Sequence, residues 1–404
     1  MKNKIGQSLE IFPILFSWKD FIIFHVKRIE FFRHSIDRED RARVDRVLKS
    51  IFLTTGKEVE EFEEKFSRYT GLDYTAGLTS CTAALHLNLV ALGIGPGDEV
   101  ITTPMSFCAT ANAILHAGAR PVFADVEEET GNINAELIEA SVTKRTKAII
   151  PVHLYGQMCD MKKIRSLAVK HHLKIIEDAA HAIEASRDGI RVGGVADAVC
   201  FSFYATKNIT SGEGGAVCTG KKKLADSLKM LRLHGIDRGA ADRYTKQYRH
   251  WDMPVLGWKY NMDNIQGALL IGQLERIEDL WMKREKLWNL YEEELRTVNG
   301  ITLLKTLPKV KHGRHLFTVL VPPAKRDGLL RSLQTQDIGV AVNYRPIHLL
   351  KYYRKKFGYR EGDFPVAEEI GRRTLSLPLY PSLKKREVRY VVKVLKEELK
   401  GVHK

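Results

Sequence analysis

From residue 98 to residue 203 the chain repeats one alternation, and few folds accommodate it. Short apolar runs, "DEVITTP" (98–104), "RPVFADV" (120–126), "KAIIPVH" (147–153), "LKIIEDA" (173–179) and "DAVCFSF" (197–203), are separated by longer stretches. The stretches "FCATANAILHAG", "AELIEASVT" and "MKKIRSLAVKHH" have apolar residues at helical spacing. Strands rich in valine and isoleucine, apolar on both faces and alternating with helices, form a mostly parallel sheet covered by helices. The expected class is α/β.

Flanking segments extend this reading. "DREDRARVDRVLKSIF", "GKEVEEFEEKFSRYTG" and "SCTAALHLNLVALG" read as helices, the second stopped by Gly71. "LLIGQLERIEDLWMKREKLWNLYEEELRTV" reads as one long helix. Beyond about residue 300, short strands such as "HLFTVLVP" mix with helices, which predicts a smaller C-terminal α+β domain. No Pro/Gly/Ser-rich linker marks the boundary. The expected division is an N-terminal extension of unknown role (1–28), a large domain (29–280) and a small one (281–404). In the extension, Pro13, Lys19 and Asp20 interrupt the apolar patches. None approaches the roughly 20 residues of a spanning helix.

Charge and cysteine content narrow the function classes. The net charge of +15 permits nucleic acid, an anionic membrane surface or a phosphorylated ligand as partner. The densest basic runs, such as "KYYRKKFGYR" (351–360), carry helix-like apolar spacing and read as solvated faces. Neither a helix-turn-helix nor an aromatic stacking platform is visible, so no nucleic-acid partner is expected. No G-x-G-x-x-G follows the first strand, which argues against a dinucleotide-dependent oxidoreductase. Cys81, Cys108, Cys159, Cys200 and Cys218 are widely spaced and form no CxxC. This disfavours a disulfide framework and a metal site, and fits a reducing cytoplasm.

In open parallel sheets, ligands bind beyond the carboxyl ends of the strands. Asp178 and Lys207 fall just past two successive strands. Lys207 stands in "CFSFYATKNITSGEGG", between a buried run and a glycine cluster. Most lysines are surface residues. Here small polar neighbours would let a flat ligand approach this one. Burial beside Phe201 and Phe203 could lower its pKa and make it a nucleophile toward a carbonyl. Asp178 has an ordinary alternative, the N-cap of a helix opening at Ala179. As a buried carboxylate it could instead pair with a protonated ring nitrogen. Thr79, Ser80 and Thr82 open an apolar helix whose N-terminus suits a phosphate, although such residues are also ordinary caps. Phosphate, ring nitrogen and a lysine-reactive aldehyde together describe pyridoxal 5'-phosphate.

With these motifs the chain resembles the DegT/DnrJ/EryC1/StrS family of nucleotide-sugar aminotransferases, pyridoxal phosphate enzymes of fold type I. "LTTGKEVEEFEEKF", "TSCTAALHL", "GPGDEVITTPMSFCATANAI", "PVHLYGQ", "IIEDAAHA", "FSFYATKNITSGEGG", "KYNMDNIQGALLIGQL" and "SLPLYP" carry the resemblance, from about residue 29 onward. It implies that Lys207 holds the cofactor and that Asp178 pairs with its ring nitrogen. It implies that His181 contacts the ring hydroxyl side, that Phe107 stacks on the ring, and that Thr82, Ala83 and Ser202 hold the phosphate. Asn261 would reach the phosphate from a neighbouring subunit, which implies a homodimer with shared sites. His153, Tyr155, His315, Tyr344, Arg345 and His348 become candidates for the sugar nucleotide. The implied reaction moves an amino group from L-glutamate to a nucleotide-linked keto sugar, 4-keto favoured over 3-keto, for cell-surface polysaccharide or lipopolysaccharide. Dehydratases of the family carry histidine in place of the lysine, so Lys207 favours the aminotransferase branch over these and over regulatory relatives.

Overall fold

The computed structural model describes residues 28–238 and 250–401 of the chain. All but the last residue of the expected N-terminal extension lies outside them. Two amphipathic helices come first, α1 (Arg38–Leu48) and α2 (Lys57–Thr70). Gly71, at φ 76°, ends α2 as its glycine predicts. The strands and helices of the alternating region follow: β1 (Tyr74–Leu78), α3 (Cys81–Ala91), β2 (Glu99–Thr102), α4 (Ala109–His116), β3 (Arg120–Phe123), α5 (Ala135–Ile138), β4 (Thr146–Ile150), α6 (Met161–Lys170) and β5 (Lys174–Asp178). Two short strands, β6 (Ser186–Arg187) and β7 (Ile190–Arg191), precede β8 (Ala198–Ser202) and β9 (Gly215–Thr219).

Seven of these strands form one sheet in the order β1-β9-β8-β5-β4-β2-β3. Only β9 runs against the others. The expected mostly parallel sheet is therefore present, with one reversed strand. Successive strand residues feed opposite faces, as a sheet buried on both sides requires. Ile101, Ile149, Ile175 and Phe201 pack on one face against Phe62 and Phe66 of α2. Val100, Ile150, Ile176 and Cys200 pack on the other, against Leu85 of α3 and Ile114 of α4.

The remaining elements are α7 (Lys222–Leu231), α8 (Asn264–Glu275), α9 (Ile277–Leu295), β10 (Thr302–Leu303), β11 (Val310–Lys311), β12 (Phe317–Leu320), α10 (Pro323–Thr335), α11 (Lys351–Phe357), α12 (Pro365–Arg373), β13 (Thr374–Leu377) and α13 (Lys385–Lys400). The predicted single long helix is two, because the backbone leaves helical geometry at Arg276 (φ −104°, ψ 8°). The cause is long-range. Asp40 of α1 presses on Gly272, where a Cβ would lie 2.2 Å from Asp40 Oδ1. The Arg276 guanidinium donates back to Asp40 and to the Gly272 carbonyl. Antiparallel β10, β12 and β13 carry a second apolar core with α9 and α13. Helix α9 spans both cores: Ile277 and Leu280 face the first, Leu287 and Tyr291 the second. We propose a domain division there, near residue 280. Ile29, placed by sequence in the large domain, bridges to Ile338 and lies in the second core.

Two features of this fold position the site. In the sheet, β5 and β8 are parallel neighbours, with Asp178 in register with Cys200. The start of β9 lies against the N-terminus of α3 so closely that a Cβ on Gly215 would be 2.3 Å from the Ser80 carbonyl carbon. Gly215→Ala must push two backbones apart and should destabilise the fold by about 1–3 kcal/mol, the usual cost of overpacking. Denaturant unfolding checks this, and an unchanged midpoint would show that the two segments part freely.

Candidate active site

Asp178 ends β5, and Lys207 lies in the loop joining β8 to β9. Both line a cavity of about 520 Å³ at the carboxyl ends of the parallel strands, walled also by Ser80, Cys81, Thr82, Phe107, Thr110, His181, Ser202, His315 and Tyr344. The loop is anchored on several sides. Lys207 N donates to the Tyr204 carbonyl, Ile209 is core, and Gln273 of α8 bonds both the N–H and the carbonyl of Thr210.

Lys207 is half-buried, and loss of water around it pushes its pKa down to about 8 despite opposing pulls from Cys81 and Asp178. Phe201 and Phe203 do not cause this. They point to the opposite face and stack edge-on against Phe66, at 5.0 and 5.6 Å between centroids. Strand alternation sends Ser202 to the cavity instead.

Asp178 is no helix cap: residues 179–185 form turns. Its carboxylate accepts from Thr110 Oγ1 at 2.8 Å and from the Ala180 N–H at 3.1 Å. Among the described residues no cation forms an ion pair with it. Burial therefore raises its pKa, only partly offset by these bonds and by the Lys207 charge. A buried carboxylate that faces a cavity without a cation is suited to a protonated ring nitrogen.

The α3 N-terminus supplies anion-binding chemistry. Ser80 is its cap, accepting from the Ala83 N–H at 3.0 Å. The amides of Cys81 and Thr82, in the first turn, have no carbonyl within the helix to bond. Ala83, expected as a phosphate contact, is buried outside the cavity lining, and its N–H is spent on the cap. Phe107 is 60% exposed at the cavity wall with its ring centroid 6.1 Å from that of Tyr344, an aromatic face open for stacking. Carboxylate, low-pKa amine, helix N-terminus and aromatic face are the donor set pyridoxal phosphate needs.

His181 is buried, and its Nδ1 accepts from the Tyr155 N–H at 3.2 Å. The proton of the neutral ring therefore sits on Nε2, which lies 3.0 Å from the Tyr344 hydroxyl. Burial and the nearby Lys207 charge hold this histidine well below its ordinary pKa.

Of the substrate candidates, His315 and Tyr344 line the cavity and the other four do not. His153 is fully buried, with Nδ1 accepting from the Cys159 N–H and Nε2 donating to Glu177 at 2.9 Å. Tyr155 is core; its hydroxyl donates to the Asn343 carbonyl, and its backbone is held at φ 58° where it meets His181. His348 is fully buried, 3.0 Å from Glu368. Arg345 is exposed in a separate basic depression with Lys351, Arg354, Lys355 and Arg360. Asn261 lies outside the cavity of its own chain; its amide donates to Thr55 Oγ1 and its buried Oδ1 has no partner among the described residues. Sequence reading missed Thr110, Cys81 and Phe31 as wall residues. Thr110 and Cys81 had a signal, lying in the quoted "MSFCATANAI" and "TSCTAALHL" beside residues named for the site; Phe31 had none.

A family model described as the DegT/DnrJ/EryC1/StrS aminotransferase family matches residues 34–396. The chain is similar to the spore coat polysaccharide biosynthesis protein SpsC of Bacillus subtilis, at 41% identity over 384 residues, covering 93% of this chain and 99% of that protein. It is similar to the UDP-4-amino-4-deoxy-L-arabinose–oxoglutarate aminotransferase of Shewanella sediminis, at 38% identity, covering 90% and 96%. Among solved structures it is similar to the PLP form of Spr1654 from Streptococcus pneumoniae, with a TM-score of 0.87 and 30% identity, covering 94% of this chain and all of that one.

The amine's environment is directly testable. In protein stripped of cofactor, reaction of Lys207 with an amine-selective reagent, followed by peptide mass mapping, should be half-maximal near pH 8. Exposed lysines should follow at about 10.4. Asp178→Asn removes a negative charge that favours the ammonium, so it should move the Lys207 midpoint lower. A midpoint above pH 10 would contradict the desolvated amine.

Proposed function

The chain belongs to the DegT/DnrJ/EryC1/StrS aminotransferase family, and from that premise we propose that it transfers an amino group from L-glutamate to the keto carbon of a nucleoside-diphosphate sugar. Sugar aminotransferases of this family use pyridoxal phosphate, and the cavity described above fits that cofactor. The single observation that carries the proposal is the convergence of the Lys207 amine and the Asp178 carboxylate in one cavity beside a helix N-terminus. The Shewanella relative's name pairs a 4-amino sugar with oxoglutarate, which supports a 4-keto acceptor and glutamate as donor. SpsC supports a role in surface polysaccharide synthesis. No helix of the described residues is long and apolar enough to cross a membrane; we propose a cytoplasmic enzyme.

When bound, pyridoxal phosphate supplies a carbonyl carbon that links to amines and a ring that accepts electron density. The chain's own groups have these roles. With a pKa of about 8, Lys207 Nζ is unprotonated in about a tenth of molecules at pH 7. It can thus hold the cofactor, take the proton from the donor's α-carbon, and deliver one to the sugar carbon in the second half. Asp178, oriented by Thr110 Oγ1 and the Ala180 N–H, would keep a proton on the ring nitrogen. The first-turn amides of α3, with the Thr82 and Ser202 hydroxyls, would take the phosphate. Phe107 would cover the ring.

A second subunit is part of the proposal. Among the described residues the cavity wall holds no arginine and no lysine besides Lys207, whereas a dicarboxylate donor and a diphosphate both call for cations. Ile51 is 94% exposed and Leu256 76%. The loop carrying Ile51 is tied at Phe52 and Leu53 to Asn264, close to Asn261. An apolar surface next to a residue expected to serve a neighbour's site fits a dimer interface.

Incubation with glutamate and a panel of nucleotide-linked keto sugars, read by mass, should show one aminated sugar nucleotide and 2-oxoglutarate. Lys207→Ala should abolish both products, and Asp178→Asn should slow them at least about a hundredfold. A wild-type enzyme that aminates no sugar on the panel, or an active Lys207→Ala, would refute the proposal. In light scattering the protein should be a dimer, and Ile51→Asp with Leu256→Asp should yield an inactive monomer. A variant that stays dimeric would place the interface elsewhere.

A further inference from the structure

Behind Lys207 lies a buried ionic group that the chemistry above does not use. Arg284 of α9 and Glu184 are both essentially without solvent contact and form an ion pair. Among the described residues, Arg284 Nε and Nη1 have no hydrogen-bond partner. Such pairs rarely add stability over apolar side chains of equal volume, so their presence calls for another reason. The reason is next to the cofactor lysine. Asn208 Nδ2 lies 3.0 and 2.8 Å from the two Glu184 oxygens and 2.9 Å from the Gly313 carbonyl. All three are acceptors, so this atom must be the NH2 of the amide. The Asn208 carbonyl oxygen is thereby turned to His315, 3.1 Å from Nδ1. It can only accept, so Nδ1 carries the proton.

Burial, with Lys207 and its other cationic neighbours, holds His315 far below its ordinary pKa, so the ring is neutral. Its Nε2 is then a bare lone pair, and no protein group among the described residues bonds it. The ring lines the cavity and packs against His181 at a tilt of 31°, 4.5 Å between centroids. His181 has the opposite tautomer, because its Nδ1 accepts from Tyr155. Its Nε2–H donates to the Tyr344 oxygen, which leaves the Tyr344 hydroxyl proton free.

We infer that Glu184, held in place by its ion pair with Arg284, orients Asn208 and so fixes His315 with an unprotonated Nε2, which accepts a hydrogen bond from a hydroxyl of the sugar. Glu184, Arg284 and Asn208 are positioning residues; His315 touches the substrate. The neighbouring Tyr344 O–H donates, so this wall offers one acceptor and one donor, the pair that a sugar hydroxyl or two adjacent hydroxyls can satisfy. The sugar's place in this inference rests on the aminotransferase reading; the tautomer does not.

The test uses full-length holoenzyme labelled with [15N]histidine, in microcrystals under magic-angle-spinning NMR, with His315→Gln to assign the signal. Before any sugar is added, His315 should be protonated on Nδ1 and bare on Nε2. In Glu184→Gln the new amide can donate to a flipped Asn208, a flip that the Gly313 carbonyl opposes, so the His315 proton should move to Nε2 in part of the molecules. KM for the keto sugar should rise about tenfold, the loss of one hydrogen bond, with a much smaller change in kcat. Should Glu184→Gln not fold, Asn208→Ala leaves the ion pair intact and should give a mixed tautomer with the same rise in KM. A wild-type Nε2–H signal, or variants that shift neither tautomer nor KM, overturns the inference even if amination proceeds. A correct tautomer in an enzyme that aminates no sugar overturns the aminotransferase reading, and with it the role given to the hydroxyl.

Discussion

A carboxylate stripped of water at the end of a central strand is the constraint around which the site is built. Asp178 is held by Thr110 Oγ1 and by the Ala180 N–H, and no cation among the described residues pairs with it. Leaving such a charge in the interior is costly unless a positive partner arrives. The parallel pairing of β5 with β8 then brings the Lys207 loop to the same cavity. Desolvation acts in opposite directions on the two groups, raising the acid and lowering the amine. A ligand with a cationic ring nitrogen and an amine-reactive carbon relieves both.

The support behind this pair is closely packed and hydrogen-bonded. The β9 backbone meets the α3 N-terminus across Gly215, which keeps the anion-binding turn beside Ser202. The Lys207 loop is tied by Gln273 on one side and by the Asn208–Glu184–Arg284 chain on the other. The cavity thus receives polar groups whose proton positions are set from outside it. This suits a reaction that moves protons between carbons: stray donors and acceptors would compete with Lys207.

The sheet was legible in the sequence because its strands are buried on both faces, which writes uninterrupted apolar runs such as "KAIIPVH". Strand β1 was overlooked because "YTAGL" has no valine or isoleucine and contains a glycine. The break at Arg276 was invisible because it depends on Asp40, far away in sequence. At the site, the place of Lys207 and Asp178 just past two strands was legible, and both line the cavity. His153 and His348 were misjudged for the same reason as each other. Each stands at a loop where substrate contacts are expected, yet each is satisfied by a distant carboxylate, Glu177 or Glu368. Such pairing leaves no local signal. Tyr155 shows that a residue can matter through its backbone, since its N–H sets the His181 tautomer.

The central claim, that Lys207 is the amine that holds the cofactor in this cavity, is tested most directly by borohydride reduction of the holoenzyme followed by peptide mapping. The result expected is the reduced cofactor's mass on the peptide containing Lys207 and on no other. The same mass on a different lysine, or on none in a protein that has taken up the cofactor, would contradict it.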